Sequence, residues 1–565
     1  MKRYLRYLAL LLCLCVFSMS FSSCMTYFRI YDEFEQMVEE VLGEPKTDET
    51  EREDNNSGEL PEDLPLEYTL TEADREAFER QLEICRTITL EGKDKQAIEE
   101  AWDTLEDLYY HIATQSQIAY ILYCWDQSSE AISDAYLYAS EMSAEVYADY
   151  MDLCQEIDTS DSPYRDAFFA DWTEEELEEM RVYREELSEL YDENDRILVE
   201  YRELDEKEFE NEAAELYYQT VLNNNRIAAL KGYGNYYEYA YDKVYLRDYS
   251  TAEATELHRL CANHLIPLYK KASSDFQSMY DRLNSFEKSF ISSFLYSDYD
   301  DMTVNYVKAY VNQAPESMRK AMQTMFENGN SIFTDSENSY AGAFTGMLYE
   351  YEKPICYFGP GYQSSTTVIH ELGHYYAEQY HIDDDLAMDL AEVHSQGNEM
   401  LFLVFLKDHI STDIYETLVS YLLLDTISTI VLCMVIDEFE MTVYQNAGQI
   451  AKPTEDFDRL MYTVLERYGG EDFFVENIAD PYLYWRYVTI ENPVYYISYA
   501  VSGIATIELY AAAEENYKAA QETYRKLAEE VAPSDGFLAA LQLAGLGSPL
   551  DAKTYTKIQL AFERK

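Results

Sequence analysis

From about Tyr68 onward, this chain of 565 residues predicts a mostly α-helical fold. Apolar residues recur at helical spacing almost throughout, and stretches with β character are scarce. Helix starts are written in polar residues: Thr71-Glu72-Ala73-Asp74 and Thr173-Glu174-Glu175-Glu176 both carry the capping-box pattern. A hydrophobic content of 47% with 15% aromatics supplies a core despite a formal net charge of −66.

The chain opens differently. Lys2, Arg3 and Arg6 precede an apolar run from Leu8 to Phe17, followed by Phe21-Ser22-Ser23-Cys24. A charged region, an apolar region and small residues in that order predict a signal peptide over 1–23. The small-small-Cys ending resembles a bacterial lipoprotein signal, which implies lipidation of Cys24, export, and anchoring to the outer face of the bacterial cell membrane. Residues 24–66 then form the lipidated cysteine and an acidic tether. Met25–Leu42 can form a short helix, and the stretch from Gly43 to Pro65 is polar with no apolar period.

Composition narrows the partners. A charge of −66 excludes nucleic acid as a natural partner, because phosphate binding needs a basic face. It also argues against electrostatic attachment to anionic lipid, which makes a covalent anchor more useful. The 55 tyrosines suit a surface or a groove, where an apolar ring with a polar tip serves well. Cys85, Cys124, Cys154, Cys261, Cys356 and Cys433 stand far apart among apolar neighbours and read as small buried hydrophobes, with pairing left open.

Further along, Glu174 to Leu204 reads as a long amphipathic helix or hairpin with a solvated charged face. Lys353-Pro354-Ile355-Cys356-Tyr357-Phe358 predicts a short strand, ended by Gly359-Pro360-Gly361. Such a strand can be a plain structural element or an edge to which an extended peptide adds. Leu418 to Ile436 is apolar enough to raise a membrane span, but Asp425 with Ser420, Thr426, Ser428 and Thr429 favours a buried core helix.

The chemistry concentrates in His370-Glu371-Leu372-Gly373-His374, inside a run that Ser364 or Ser365 can cap. On a helix, positions four apart differ in direction by only about 40°, so both imidazoles project from one face and can hold one metal ion. Glu371 is turned by about 100°, beside the metal, where it can act as a general base. Glu392 follows eighteen positions after His374, with His381-Ile382-Asp383-Asp384-Asp385 as the intervening loop, and supplies a third ligand. Two His and one Glu leave an open fourth position, the arrangement of a catalytic zinc. His394 lies two residues past Glu392 and points nearly away, as a packing group.

Several stretches together resemble the thimet oligopeptidase and oligoendopeptidase F family of zinc peptidases. They are His370–His374 with Glu392-Val393-His394-Ser395 and Glu399; Arg226-Ile227-Ala228 with Gly232–Tyr239; Pro493–Ala500; Ala544–Pro549; and, more faintly, Ala341–Phe344. The resemblance implies a two-lobed helical peptidase fold with a small β element beside the H-E-x-x-H helix and a deep substrate groove. It divides the body into an N-terminal helical lobe (67–205) and a catalytic region (206–565). It implies one zinc ion on His370, His374 and Glu392, Glu371 as general base and acid, Glu399 steadying a ligand imidazole, and Tyr496 and Tyr499 donating to the substrate oxyanion. The activity implied is cleavage of internal bonds in short peptides. The family's histidine just before the tyrosine segment is missing: 485–492 contains none. A carboxydipeptidase on the same scaffold, with Arg486 as a carboxylate clamp, and a catalytically weak peptide-binding lipoprotein are the competing readings.

Overall fold

The computed structural model describes residues 66–563 apart from 93, 171, 173–176, 178, 179, 182–184, 205, 297–300, 327–329, 382–387, 471–484 and 532–535. The signal peptide, Cys24, the tether, the helix start at Thr173 and most of the loop after His381 lie outside the described residues.

The described chain forms two compact units, one from residues 66–191 with 330–360, the other from 192–326 with 361–563. In the first, three helices, α1 (Glu72–Glu91), α2 (Lys95–Trp125) and α3 (Glu130–Thr159), pack together. The predicted start of α1 is realised: the Asp74 carboxylate accepts from the Thr71 backbone N–H at 2.8 Å. Asp94 and Ser129 accept from the first-turn amides of α2 and α3. Phe78, Leu82 and Cys85 from α1, Ile98, Trp102 and Leu105 from α2, and Val146, Tyr150 and Leu153 from α3 are buried together. Each large apolar side chain removed from water there contributes about 1.5–3 kcal/mol.

This unit also holds the sheet, ordered β1 (Ser331–Phe333), β3 (Lys353–Phe358), β2 (Ala343–Leu348). The strand predicted at 353–358 is present with the expected ends. It is the middle strand, however: Cys356–Phe358 pair in parallel with β1, and the whole strand pairs antiparallel with β2. Its use as a free edge for a peptide is therefore corrected: β2 takes one side along the whole strand and β1 the other side at Cys356–Phe358. The sheet docks on α2 through Phe344, whose ring lies 5.3 Å from that of Tyr120, and through the Tyr357 hydroxyl, which donates to the Cys124 carbonyl at 2.7 Å. These contacts place 330–360 with the N-terminal helices, so the boundary between units follows a different path from the cut at 205/206 expected from sequence.

The second unit is built on long helices: α4 (Glu206–Leu230), α5 (Thr251–Tyr280), α6 (Ser365–Glu378), α7 (Met388–Leu406), α8 (Thr412–Asn446), α9 (Ile497–Glu515) and α10 (Tyr517–Glu529). Helix α7 packs against α6 and α9, and α8 against α5 and α9. Residues Thr412–Gln449 are long and apolar enough to cross a membrane, yet 83% of their most apolar window is buried within the protein. This agrees with a core helix whose polar residues are held inside.

Two compositional expectations resolve here. All six described cysteines are free and buried. Tyrosine is a core residue in this protein more than a surface one: among the described residues Tyr191, Tyr351, Tyr380 and Tyr462 are exposed, while 29 tyrosines are buried. Each carries a hydroxyl that the interior must accommodate, which is why hydroxyl–carboxylate bonds recur through the second unit.

Candidate metal centre

Ser364 caps α6 by accepting from the Thr367 amide at 3.2 Å, and the helix then presents His370, Glu371 and His374 within one turn. Helix α7 supplies Glu392. One ligating atom from each of His370, His374 and Glu392 lies within 4.8 Å of the other two, and Nε2 of His370 is 3.9 Å from Oε2 of Glu392. Two metal–ligand bonds of roughly 2.0–2.2 Å each can span the 3.9 Å between those two atoms.

The two helices can meet because of Gly373. A Cβ there would collide with the His394 carbonyl oxygen and stand 2.7 Å from Cα of Ser395. The crossing is pinned by Asn398 of α7, which donates to the Ile369 carbonyl at 2.7 Å and accepts from the Tyr310 hydroxyl at 2.6 Å. Glu399, the next residue along, reaches Nδ1 of His370 at 2.6 Å, leaving Nε2 toward the cluster. A carboxylate behind a ligand imidazole fixes its tautomer and raises its basicity.

The electrostatics suit a cation. Burial alone would push the His370 imidazole down, but the hydrogen bond and charge of Glu399, with the charges of Glu371 and Glu392, push it up to about 9. His374 is held well below its ordinary range by burial, then by His370 and His394. Burial raises the Glu392 carboxyl. Glu371 is completely buried. Three carboxylates around two imidazoles form a pocket of negative charge that a divalent ion would balance. The donor set and its spacing therefore fit a metal.

His394 behaves as expected of a packing group. It is buried, its Nε2 faces the Leu527 carbonyl at 3.3 Å, its ring stacks 6.3 Å from His381, and burial followed by His381 lowers it to about 3.

The tyrosine segment lies at the start of α9. Here the residue against the cluster is Tyr495, to which the sequence alone assigned no role. Its hydroxyl is 3.4 Å from Oε1 of Glu392 and 3.2 Å from the Tyr499 hydroxyl. One phenol has one proton to donate, and the carboxylate is the stronger acceptor, so the chain of donors runs from Tyr499 to Tyr495 to Glu392. Ser395 approaches the other oxygen of Glu392 at 3.3 Å. The Tyr496 ring lies 5.8 Å from that of Tyr495 and 6.4 Å from that of Tyr499. All three rings are buried. Arg486 is buried too, and its Nη2 donates to both oxygens of Asp458, at 3.1 and 3.0 Å.

No family model matches the chain and no curated protein matches it in sequence. Solved structures do match in fold. A protein assigned as an oligoendopeptidase F from Bacillus anthracis str. Ames superposes with a TM-score of 0.67 at 15% identity, covering 88% of this chain and 96% of that one. PZ peptidase A, solved with an inhibitor, gives 0.67 at 16% identity over 88% and 97%. An M32 carboxypeptidase from Deinococcus radiodurans R1 gives 0.51 at 12% identity over 82% and 98%. The chain thus has the mostly helical fold of oligoendopeptidase F-type structures, and on it brings together His370, His374 and Glu392.

Proposed function

We propose that this protein is a zinc metalloendopeptidase acting on short peptides, exported and anchored to the outer face of the cell membrane through lipid on Cys24. The observation that carries the peptidase reading is the convergence of His370, His374 and Glu392 with the buried Glu371 beside them. The anchoring part is supported by residues 1–24 alone.

A zinc ion held by those three residues would polarise a peptide carbonyl and make water acidic enough to ionise near neutral pH. Glu371 takes the proton of the attacking water on its carboxylate and delivers it to the leaving amine nitrogen. Glu399 orients His370 through Nδ1, and Tyr495 and Ser395 hold the two oxygens of Glu392. Tyr496 is proposed to donate to the oxyanion as it forms, and Tyr499 to turn its proton from Tyr495 to the same oxygen; a donor in that role is worth about 3–4 kcal/mol of barrier.

The carboxypeptidase among the fold relatives keeps an exopeptidase reading in play. Against it, the Arg486 guanidinium that could clamp a free carboxylate is already paired with Asp458. The full-length protein and its Glu371→Gln variant should be loaded with zinc and given peptides with free and with amidated C-termini. Equal zinc in both proteins, internal cleavage of both peptide sets by the wild type, and none by Glu371→Gln is the expected result. Cleavage of free-acid peptides alone would establish the exopeptidase reading. Zinc without cleavage in either protein would make this a binding protein.

A further inference from the structure

A second buried cluster stands behind the metal-ligand shell, centred on Arg247. Its side chain is completely inaccessible. The guanidinium lies 4.4 Å from the ring centroids of both Tyr241 and Tyr245. Its Nε donates to Oδ1 of Asp389 at 3.4 Å, and Tyr249 donates to the other oxygen of Asp389 at 2.8 Å. From Nη2 it donates to the Val494 carbonyl at 3.0 Å, the Tyr495 carbonyl at 3.4 Å and the Ser498 hydroxyl at 3.0 Å.

The two ends of this fork lie on the two segments that must be aligned. Asp389 sits in the first turn of α7, about one turn before Glu392. Val494 and Tyr495 open the tyrosine segment, whose Tyr495 hydroxyl reaches Glu392. The backbone is strained on both sides of the contact. Leu246, immediately before Arg247, has φ of +49°, and Val494 has φ of +64°; with Glu352 they are the only non-glycine residues at positive φ among those described. A β-branched residue in that region is strained and persists only where surrounding contacts hold it. Those contacts are visible: Arg247 takes the Val494 carbonyl, Glu440 accepts from the Val494 amide at 2.9 Å, and Tyr245 donates to the Pro493 carbonyl at 2.8 Å.

From this geometry we infer that Arg247 is a positioning residue for the metal centre, clamping the Glu392 helix to the tyrosine segment so that Tyr495 is held against Glu392. The inference rests on reading His370, His374 and Glu392 as metal ligands. Lysine cannot replace the clamp: an ammonium is a point charge and cannot span Asp389 and the segment's carbonyls in one plane.

The test uses the full-length protein with zinc or cobalt bound, as wild type, Arg247→Lys, Tyr495→Phe and the double variant. Metal release to a chelator should be about 10-fold or more faster in Arg247→Lys, the effect expected when support behind a metal ligand is lost. The cobalt absorption bands should shift. The double variant should lose less than the product of the two single effects, because both changes act on the same contact. Release at the wild-type rate with unchanged cobalt bands would overturn the clamp, as would strictly multiplicative effects. If Arg247→Lys fails to fold, Asp389→Asn, equal in shape, takes its place: faster release supports the clamp and an unchanged rate overturns it. These readouts stand apart from turnover. Faster release in the variant alongside a wild type that cleaves nothing would keep the clamp and discard the peptidase reading. A cleaving wild type with a variant unchanged in release would do the reverse. A wild type that takes up no metal would overturn both.

Discussion

Gly373 and His394 meet backbone to backbone: a side chain at 373 would collide with the carbonyl oxygen of His394. The glycine of H-E-L-G-H is therefore a spacing device between α6 and α7, and the distance it allows is what brings Glu392 within reach of the two histidines. Substituting alanine forces the helices apart. Gly373→Ala should lower stability by about 1–3 kcal/mol, the usual cost of overpacking a close contact. It should also weaken metal binding, although it removes no ligand. Denaturant titration and metal competition on the same preparation check both, and an unchanged metal affinity would show that the crossing tolerates the shift.

Glu399 supports His370 from behind at 2.6 Å. Glu399→Gln keeps the shape and removes the charge. Metal affinity should fall about 10- to 100-fold while the fold is retained, because the ligand imidazole loses basicity and a fixed orientation. Competition with a chromophoric chelator, read beside a circular dichroism melt, separates the two effects.

How much of this centre could be read from sequence follows from distance along the chain. His370, Glu371 and His374 fall within one helical turn and needed only helical geometry. Glu392 and Glu399 needed a second helix to return, and the helical pattern from Asp389 to Glu399 indicates one. Arg247 was invisible: its partners Asp389 and Val494 lie 142 and 247 residues away, and nothing local marks an arginine as buried. Tyr495 differs from Tyr496 and Tyr499 only in direction at a helix start, where the strained Val494 breaks the period. The strand at 353–358 was legible from its composition. Its central place was not, because β1 is three residues long and carries no signal of its own.

Asp437 on α8 is buried and accepts from Tyr237 at 2.7 Å and Tyr241 at 2.9 Å, with His258 Nε2 at 2.6 Å. Three groups lose their partner if it is removed. Asp437→Ala should destabilise by about 3–5 kcal/mol, as when one member of a buried pair is deleted. Urea unfolding monitored by tyrosine and tryptophan fluorescence gives the value. A loss under about 1 kcal/mol would mean the site rehydrates or repacks.

The six body cysteines should be inert in the native protein. Burial pushes the Cys85 and Cys154 thiols up to about 12, and it raises Cys124, Cys261 and Cys433 as well. Thiolate is the reactive form. With 1–23 removed and Cys24 lipidated as proposed, a disulfide reagent at mildly alkaline pH should find no fast thiol in the native protein, and six should appear on denaturation. Fast reaction within 85–433 would contradict the burial.

The tyrosine-filled core has a consequence at the alkaline end of the pH scale. Tyr150, Tyr217, Tyr237, Tyr310, Tyr444 and Tyr524 are all raised well above the ordinary phenol range, in each case chiefly by burial. In the unfolded chain the same phenols ionise near pH ~10. Above that pH the unfolded state binds fewer protons than the folded one, so stability must fall as pH rises. Several phenols acting together make the fall steep. Base thus unfolds this protein by drawing protons from its own core, and phenolate absorbance from these six rings would appear only as the helices melt.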